Sequence, residues 1–435
     1  MFFLSTQPAL AAVGRRVAGL LAFLLVLSVS PARAQATLTL DDALRLAQAR
    51  SRQLPAQDAA AAAARQLSVS AAQRPDPVIK AGLSNLPIDG PDRFSITRDF
   101  MTMRSIGVMQ ELTRADKRLA RSARFEREAE VAQAGRQVAL AELRRETALA
   151  WLALHYRERM VELMQTIRTE TTLQLEAAEA SYRSGRGAQT DVFTARSAVA
   201  AVDDRLQQML REVATAGSRL ARWIGNNEAQ VLAAPPGLDR LPLPLSALEA
   251  ALQAHPQIVL LARKEQLAQA EVDMARSEKT ADWSAELMLG QRGPAYSNML
   301  SLSVSIPLQW NASNRQDRAL AARFLLAQRE RDEREEALRE VLAATRSAVL
   351  SWQSNRERLL RYDTHLIPLA ADRVSAALAA YRGAAGPLAA LLEARRMAID
   401  TRLERLRLDM ETAALWAQLN YLIPDATAAS KTQEQ

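Results

Sequence analysis

The histidines, which could bind a metal ion or exchange protons near neutral pH, are few and far apart in the sequence. The three histidines are His155, His255 and His365. Imidazole is a common metal ligand, but histidines at these spacings predict packed or surface side chains and not a metal centre. The chain has no cysteine, which excludes disulfides, thiolate metal sites and a lipid-modified N-terminal cysteine.

Met101 and Met103, two residues apart in a predicted loop, are weak candidates for a metal contact. Thioether sulfur suits monovalent copper or silver, although methionine is also a common filler of apolar gaps. The sequence contains no nucleophile elbow, phosphate loop, zinc motif or dinucleotide fingerprint. It therefore predicts a protein without catalytic activity and without a cofactor.

Residues 1–34 have the pattern of an export signal. Arg15 and Arg16 precede a short apolar stretch, and Ala32-Arg33-Ala34 supplies a cleavage site of small residues. Without these three arginines the net charge falls from +7 to +4. The remaining charges are interleaved, which does not favour nucleic-acid binding. The sequence predicts export and excludes a helical membrane anchor.

The chain consists of two similar halves. Residues 43–47 align with 247–251, and the same offset of 204 carries Gln53-Leu54 onto Gln257-Ile258. Residues 182–187 align with 381–386 further along. A repeat near 200 residues is too long for a solenoid, so we interpret it as a duplicated domain. The predicted parts are a first repeat over 35–234, a proline-rich linker over 235–246, a second repeat over 247–424 and a flexible tail over 425–435.

Long helices dominate each predicted repeat. No proline lies between Pro91 and Pro235, and a helix over 117–184 would measure roughly 100 Å. The second repeat predicts helices over 314–381, with a kink at Pro368, and from 387 to about 422. After the turn at 184–189 an apolar stripe predicts an antiparallel coiled-coil seam; its residues are Val192, Ala195, Val199, Val202, Leu206, Met209, Val213, Ala216, Leu220 and Trp223.

A β-hairpin is predicted in each repeat before the long helix. Residues 300–310 alternate apolar and polar side chains over eleven residues, the length of a tilted transmembrane strand. Its partner starts at Trp283, and Trp283 and Trp310 would mark the hairpin ends as membrane-interface aromatics. The first repeat offers strands over 78–85 and 106–112, with weaker alternation. A soluble amphipathic hairpin packed on the helices is the alternative interpretation.

Four strands cannot close a barrel, and an open sheet edge in lipid leaves backbone groups without hydrogen bonds. The chain must therefore assemble with copies of itself if the strands lie in a membrane. Three copies supply twelve strands, an even number within the range of such barrels. The fold class predicted is mainly α with a transmembrane β-barrel portion, built from a duplicated unit of coiled-coil helices plus a hairpin.

The order of these elements resembles the TolC-like outer-membrane efflux protein family over nearly all of the mature chain. The residues that carry the likeness are Pro75-Asp76-Pro77, Ile306-Pro307-Leu308 before Asn314-Arg315, and the paired turns after Tyr182 and Tyr381. The resemblance implies an outer-membrane homotrimer with a twelve-stranded barrel and a periplasmic helical tunnel. It also implies two partners, a periplasmic adaptor and an inner-membrane pump of the resistance-nodulation-division (RND) type.

The turns over 184–191 and 383–390 are, by this resemblance, the tips that dock the adaptor and close the tunnel. The tip residues it implies are Tyr182, Gly185, Gly187, Asp191, Tyr381, Gly383, Gly386 and Pro387. Asp191 matches the family's acidic position after the first turn, whereas Ala390 holds that position in the second repeat. A ring of such acids would have one member per copy.

Within the family the chain looks most like the heavy-metal branch of CzcC- and CusC-like channels. Residues 94–104 and Gln110-Glu111-Leu112 carry this impression. The function implied is a passive exit duct for metal cations delivered by the pump and adaptor. The alternatives are a duct for organic toxicants or proteins and, from another class, a soluble periplasmic coiled-coil scaffold.

Overall fold

The computed structural model describes residues 37–225, 231–241, 244–383 and 385–422, without the side chains of residues 245 and 246. The predicted export signal and C-terminal tail lie outside these ranges. The first half comprises α1 (Leu40–Arg50), α2 (Gln53–Ala71), β1 (Val78–Ser84), β2 (Met103–Leu112), α3 (Ala115–Arg183) and α4 (Gln189–Ile224). The second comprises α5 (Leu245–Ala251), α6 (Pro256–Ser277), β3 (Trp283–Gln291), β4 (Met299–Ser305), α7 (Gln316–Arg361), α8 (Ile367–Arg382) and α9 (Leu388–Asn420).

Both halves follow one order: shorter helices, a hairpin, a long helix and a returning helix. The longest of the described helices, α3, has 69 residues, which corresponds to about 100 Å at 1.5 Å per residue. No proline interrupts it, Asp116 lies in its first turn and Arg183 in its last, as the helix dipole favours. Its length comes from packing, since α2, α4, α6 and α9 all lie along it.

The apolar stripe predicted on α4 faces the bundle. Most of its residues are buried and none is exposed, with Ala195 fully buried and Leu220 nearly so. The seam packs mainly on α3. The predicted apolar stripe of α4 is therefore confirmed as the face that packs against α3.

The long helix of the second half is interrupted where the sequence predicts a kink. Helix α7 ends at Arg361, a π-helical turn covers Tyr362–Leu366, and α8 continues with Pro368 in its first turn. Proline has no N–H to donate to residue 364, and its ring crowds that carbonyl group. The helical ladder therefore slips by one residue just before the proline.

The four strands form one antiparallel sheet in the order β1-β2-β3-β4. The two hairpins join side by side because β2 pairs with β3, from Arg104 opposite Gln291 to Leu112 opposite Trp283. This leaves β1 and β4 as the two edges of the sheet.

The prediction of an eleven-residue strand over 300–310 is wrong for the single chain. Strand β4 ends at Ser305, which lies opposite Ser284 near the start of β3. Beyond that pair β3 has only one further residue, Trp283, and Pro307 has no N–H to donate. Trp283 is the first residue of β3, as predicted, but Trp310 lies in a turn past the end of β4.

The main core lies midway along the bundle and joins both halves. Trp151 on α3 is fully buried, and its indole N–H donates to the carbonyl oxygen of Leu38 at 3.2 Å. Trp416 on α9 donates in the same way to Arg240 at 3.0 Å. Leu38 also forms a parallel bridge with Leu232. These bonds fix the extended segments before α1 and α5 to the long helices.

Candidate functional site: an apolar sheet face and two helix tips

One face of the four-stranded sheet is apolar and exposed. Two rows cross all four strands on this face, namely Ile79, Val108, Leu287 and Leu302, and Ala81, Ile106, Leu289 and Leu300. The four residues of the first row are 74, 48, 51 and 74 % exposed. Contiguous exposed apolar surface of this kind marks contact with a membrane or another protein.

The opposite face of the sheet is mixed and more polar. Its rows include Lys80, Glu286 and the serines of β4. Lys80 Nζ lies 2.7 Å from Glu286 Oε2 across two strand boundaries. Because the two faces differ in polarity, the sheet has one side suited to an apolar environment and one suited to water.

A buried ion pair fastens the sheet to the helices at the junction of the two halves. Lys117 on α3 lies 2.7 Å from Asp282, which precedes β3, and the two side chains are 7 and 14 % exposed. The backbone N–H of Arg114 also donates to Asp282, at 3.1 Å. Burial opposes ionisation of Asp282, but these hydrogen bonds outweigh it and hold its pKa below the usual value. The pairing joins residues 165 positions apart.

We expect Lys117→Met to destabilise the protein by about 3–5 kcal/mol, because Asp282 would remain buried without its partner. Thermal unfolding by circular dichroism measures this, with Arg276→Met as the control, since Arg276 pairs with Asp273 at the surface and such pairs contribute little.

Because the pKa of Asp282 is lowered, its stabilisation is present above about pH 4 and disappears as the pH falls through the lower, folded pKa. The variant should lose this acid dependence; equal melting of both variants would contradict the assignment.

The first helix tip is closed by backbone hydrogen bonds. Gly185 adopts a left-handed φ of 72°, which glycine tolerates without strain. The N–H groups of Arg186 and Gly187 both donate to the carbonyl oxygen of Ser181, at 3.0 and 3.1 Å. Asp191 accepts from the Ala188 N–H at 3.4 Å and so caps the start of α4. The cap is a local role for Asp191 that its helix-start position could have indicated.

The second tip uses a different turn. Gly383 ends α8 with a right-handed φ of −80°, and Pro387 leads into α9. A Cβ on Gly386 would lie 3.3 Å from the Ala380 side chain, so the turn packs closely. Ala390 donates only a backbone bond, to Pro387. The two tips are therefore different surfaces despite the duplication.

The tips pack against each other through a small apolar cluster. Ala178, Ala195, Leu388 and Leu391 are buried in it, and Tyr381 packs against it. Outside this cluster Tyr182 and Phe193 are 46 and 58 % exposed. Three exposed arginines surround the turns, namely Arg183, Arg186 and Arg382. The end of the bundle thus offers basic and aromatic groups to a partner.

The two candidate methionines and two of the histidines take ordinary structural positions. Met103 begins β2 and its sulfur lies over Gly290, while Met101 is half-exposed in the preceding loop. His155 stacks on Trp151 with ring centroids 5.6 Å apart. His255 accepts from the Gln257 N–H at the start of α6. Over the described ranges, the histidines and acids form no group of three that could hold a metal ion.

A cleft of about 710 Å³ lies beside the π-helical turn. Arg405 on α9 donates two hydrogen bonds to Asp363 of that turn, of 3.0 and 3.2 Å, and also forms an ion pair with Asp409. Burial raises the pKa of Asp409, and burial raises the pKa of neighbouring Tyr156 to about 12. This cluster connects the interruption in the long helix to α9. Its Arg405–Asp363 contact joins residues 42 positions apart, too far for a local sequence pattern to predict.

No family model matches the sequence, and no curated protein is significantly similar to it. Solved structures do resemble the chain. The outer-membrane channel OprN is 18% identical, with a TM-score of 0.73 over 89% of this chain and 90% of OprN. The CmeC outer membrane channel of Campylobacter jejuni is 12% identical, with a TM-score of 0.75 over 91% of this chain and 89% of CmeC.

CusC, described as undergoing conformational changes on folding and transmembrane channel formation, is 15% identical. Its TM-score is 0.66, over 88% of this chain and 91% of CusC. Within the described residues, no helix is both long enough and apolar enough to cross a membrane. The single chain therefore has the fold of solved outer-membrane channels.

Proposed function

We propose that the chain is the outer-membrane channel of a tripartite efflux system and acts as a passive exit duct. Three copies would form a twelve-stranded barrel continued by a helical tunnel in the periplasm. The observation that carries this proposal is the apolar face of the sheet at one end of a bundle about 100 Å long. A face of this polarity suits lipid, and helices of this length suit a duct that crosses the periplasm.

The two tips are the proposed docking and gating end of the duct. Tyr182, Gly185, Gly187 and Asp191 would belong to one contact, and Tyr381, Gly383, Gly386 and Pro387 to the other. The exposed arginines and aromatic rings there suit a partner with acidic and apolar groups. The partners proposed are a periplasmic adaptor and, beyond it, an inner-membrane pump of the RND type.

The cargo proposed is a heavy-metal cation. The support is the likeness of residues 94–104 and 110–112 to the heavy-metal branch, together with the presence of CusC among the similar structures. The sulfur of half-exposed Met101 could contact monovalent copper or silver in passing. The pump would select the cargo, since the duct itself is passive.

Deletion of the gene tests the cargo. We expect the deletion strain to become sensitive to metal cations, measured as minimal inhibitory concentrations of copper, silver, zinc, cobalt and cadmium beside a panel of dyes. The control is the same strain complemented with the full chain, which should restore growth. Sensitivity to dyes with unchanged metal tolerance would overturn the metal assignment and favour a duct for organic toxicants.

A soluble periplasmic scaffold is the rival from another class. It has no use for the exposed apolar rows of the sheet, which favour the channel. Cell fractionation separates the two proposals, because the channel should sediment with outer membranes and need detergent for extraction. Recovery of the full chain in the periplasmic extract would support the scaffold.

A further inference from the structure

The two hairpins of the chain have ladders of equal length. Each has seven residue pairs, from Val78 opposite Met109 in the first and from Ser284 opposite Ser305 in the second. Strand β1 therefore corresponds to β3 with an offset of 206, and β2 corresponds to β4 with an offset of 196. The offset of 206 between β1 and β3 exceeds the offset of 204 found before the hairpins. The reason is that α6 ends two residues later than the aligned α2.

The ladder that joins the two hairpins within the chain can serve as a template for a contact between copies. There β2, the second strand of the first hairpin, pairs with β3, the first strand of the second hairpin. Strands β4 and β1 are the corresponding second and first strands, and each lies at an edge of the sheet that the described residues form. A second copy could repeat the β2–β3 contact by placing its β1 beside β4 of the first copy.

We propose that copies of this chain assemble in the register of the internal β2–β3 ladder. Transferred by the two offsets, that ladder places Leu302 opposite Leu83 of a second copy and Ile306 opposite Ile79. All four side chains belong to the apolar face and are exposed in the single chain. The apolar rows therefore continue on the same face of the sheet from one copy to the next. A shift of the register by one residue would place these apolar side chains opposite polar ones.

The buried ion pair of the junction has a counterpart in the free edges. Lys117 is the third residue of α3, and Arg318 is the third residue of α7. Asp282 lies two residues before the β3 ladder, and Asp76 lies two residues before the β1 ladder. Arg318 and Asp76 are both exposed and have no ion-pair partner among the described residues. The charges needed for the same pair are therefore present, one at each edge.

The helices beside the sheet support the same contact. Arg124 on α3 pairs with Glu271 on α6 at 3.5 Å within the chain. Arg124 is the tenth residue of α3 and corresponds to Leu325, the tenth residue of α7. Glu271 corresponds to Leu67 on α2 by the offset of 204 that aligns the two shorter helices. Both leucines are exposed, by 73 and 50 %. An ion pair inside the chain is thus matched by two unburied apolar side chains, which the second copy would cover.

This inference rests on the proposed function, since the barrel and tunnel require several copies, but the register is a separate claim. The absence of cysteine makes disulfide trapping direct. The variants Leu83→Cys/Leu302→Cys and Ile79→Cys/Ile306→Cys each place two thiols on facing positions of adjacent copies. Within one chain the edge strands are about 14 Å apart, beyond the roughly 7 Å limit of a disulfide.

We expect oxidised outer membranes carrying either pair to show covalent dimers and trimers on a non-reducing gel. The matched controls exchange the same four positions, as Leu83→Cys/Ile306→Cys and Ile79→Cys/Leu302→Cys. These thiols would lie about 13 Å apart in the proposed register and should remain monomeric. Native mass measurement in detergent shows whether each variant still assembles.

The outcomes separate the two proposals. Oligomers by mass that cross-link only through the exchanged pairs, or through neither set, would overturn the register while leaving the channel intact. A monomeric mass for the unmodified chain would overturn both. A charge exchange gives a second readout, because Asp76→Arg and Arg318→Asp should each weaken the assembly and the double variant should restore it.

Discussion

Replacing Leu300 and Leu302 by arginine should remove the protein from the outer membrane. Both leucines lie on the apolar face of β4 and are 70 and 74 % exposed. Arginine at the middle of a lipid-facing strand costs about 2–4 kcal/mol at each site. The measurement is the amount of full-length protein in outer-membrane and periplasmic fractions.

The neighbouring serines of the same strand provide the matched control. Ser301 and Ser303 lie on the opposite face, where Ser303 is paired with Glu286. Arginine at these two positions should leave membrane accumulation nearly unchanged. In a soluble scaffold both double variants would be tolerated, because substitutions at exposed positions in water change stability by less than about 0.5 kcal/mol. Equal behaviour of the two variants would therefore count against the channel.

Trp151→Ala should cost about 3–5 kcal/mol of stability, as expected for truncation of a fully buried aromatic side chain. The substitution also leaves the Leu38 carbonyl without the indole N–H that binds it at 3.2 Å. Leu38 holds the segment before α1 against the bundle, so that segment should loosen. Thermal unfolding of the helices, followed by circular dichroism, measures the loss.

Two further variants divide the effect of Trp151 into its causes. Trp151→Phe keeps most of the buried apolar area and should lose only about 1 kcal/mol, for the missing hydrogen bond. Leu173→Ala on the same helix, at a position 59 % exposed, should change the melting temperature little. If the alanine and phenylalanine variants melted alike, the packing of Trp151 would not be what stabilises this core.

The periodicity of the sequence determined the helices and hairpins of this protein. The apolar stripe of α4 predicts its buried face because a local repeat of three and four residues is sufficient to place side chains on one side of a helix. The glycine and proline positions predict both turns because the backbone conformations of these residues end or begin helices. The alternation in the second hairpin predicts which residues share its apolar face, since the side-chain period of a strand is two.

Only the tertiary structure decided how these elements meet. Three such contacts join residues from 42 to 187 positions apart: the pairing of the two hairpins into one sheet, the Lys117–Asp282 ion pair and the hydrogen bonds of Arg405 to Asp363. No local pattern encodes such contacts, because they depend on how the long helices pack. The end of β4 at Ser305 has the same origin: the sequence alternates to residue 310, but a strand extends only as far as its neighbour offers hydrogen-bonding partners.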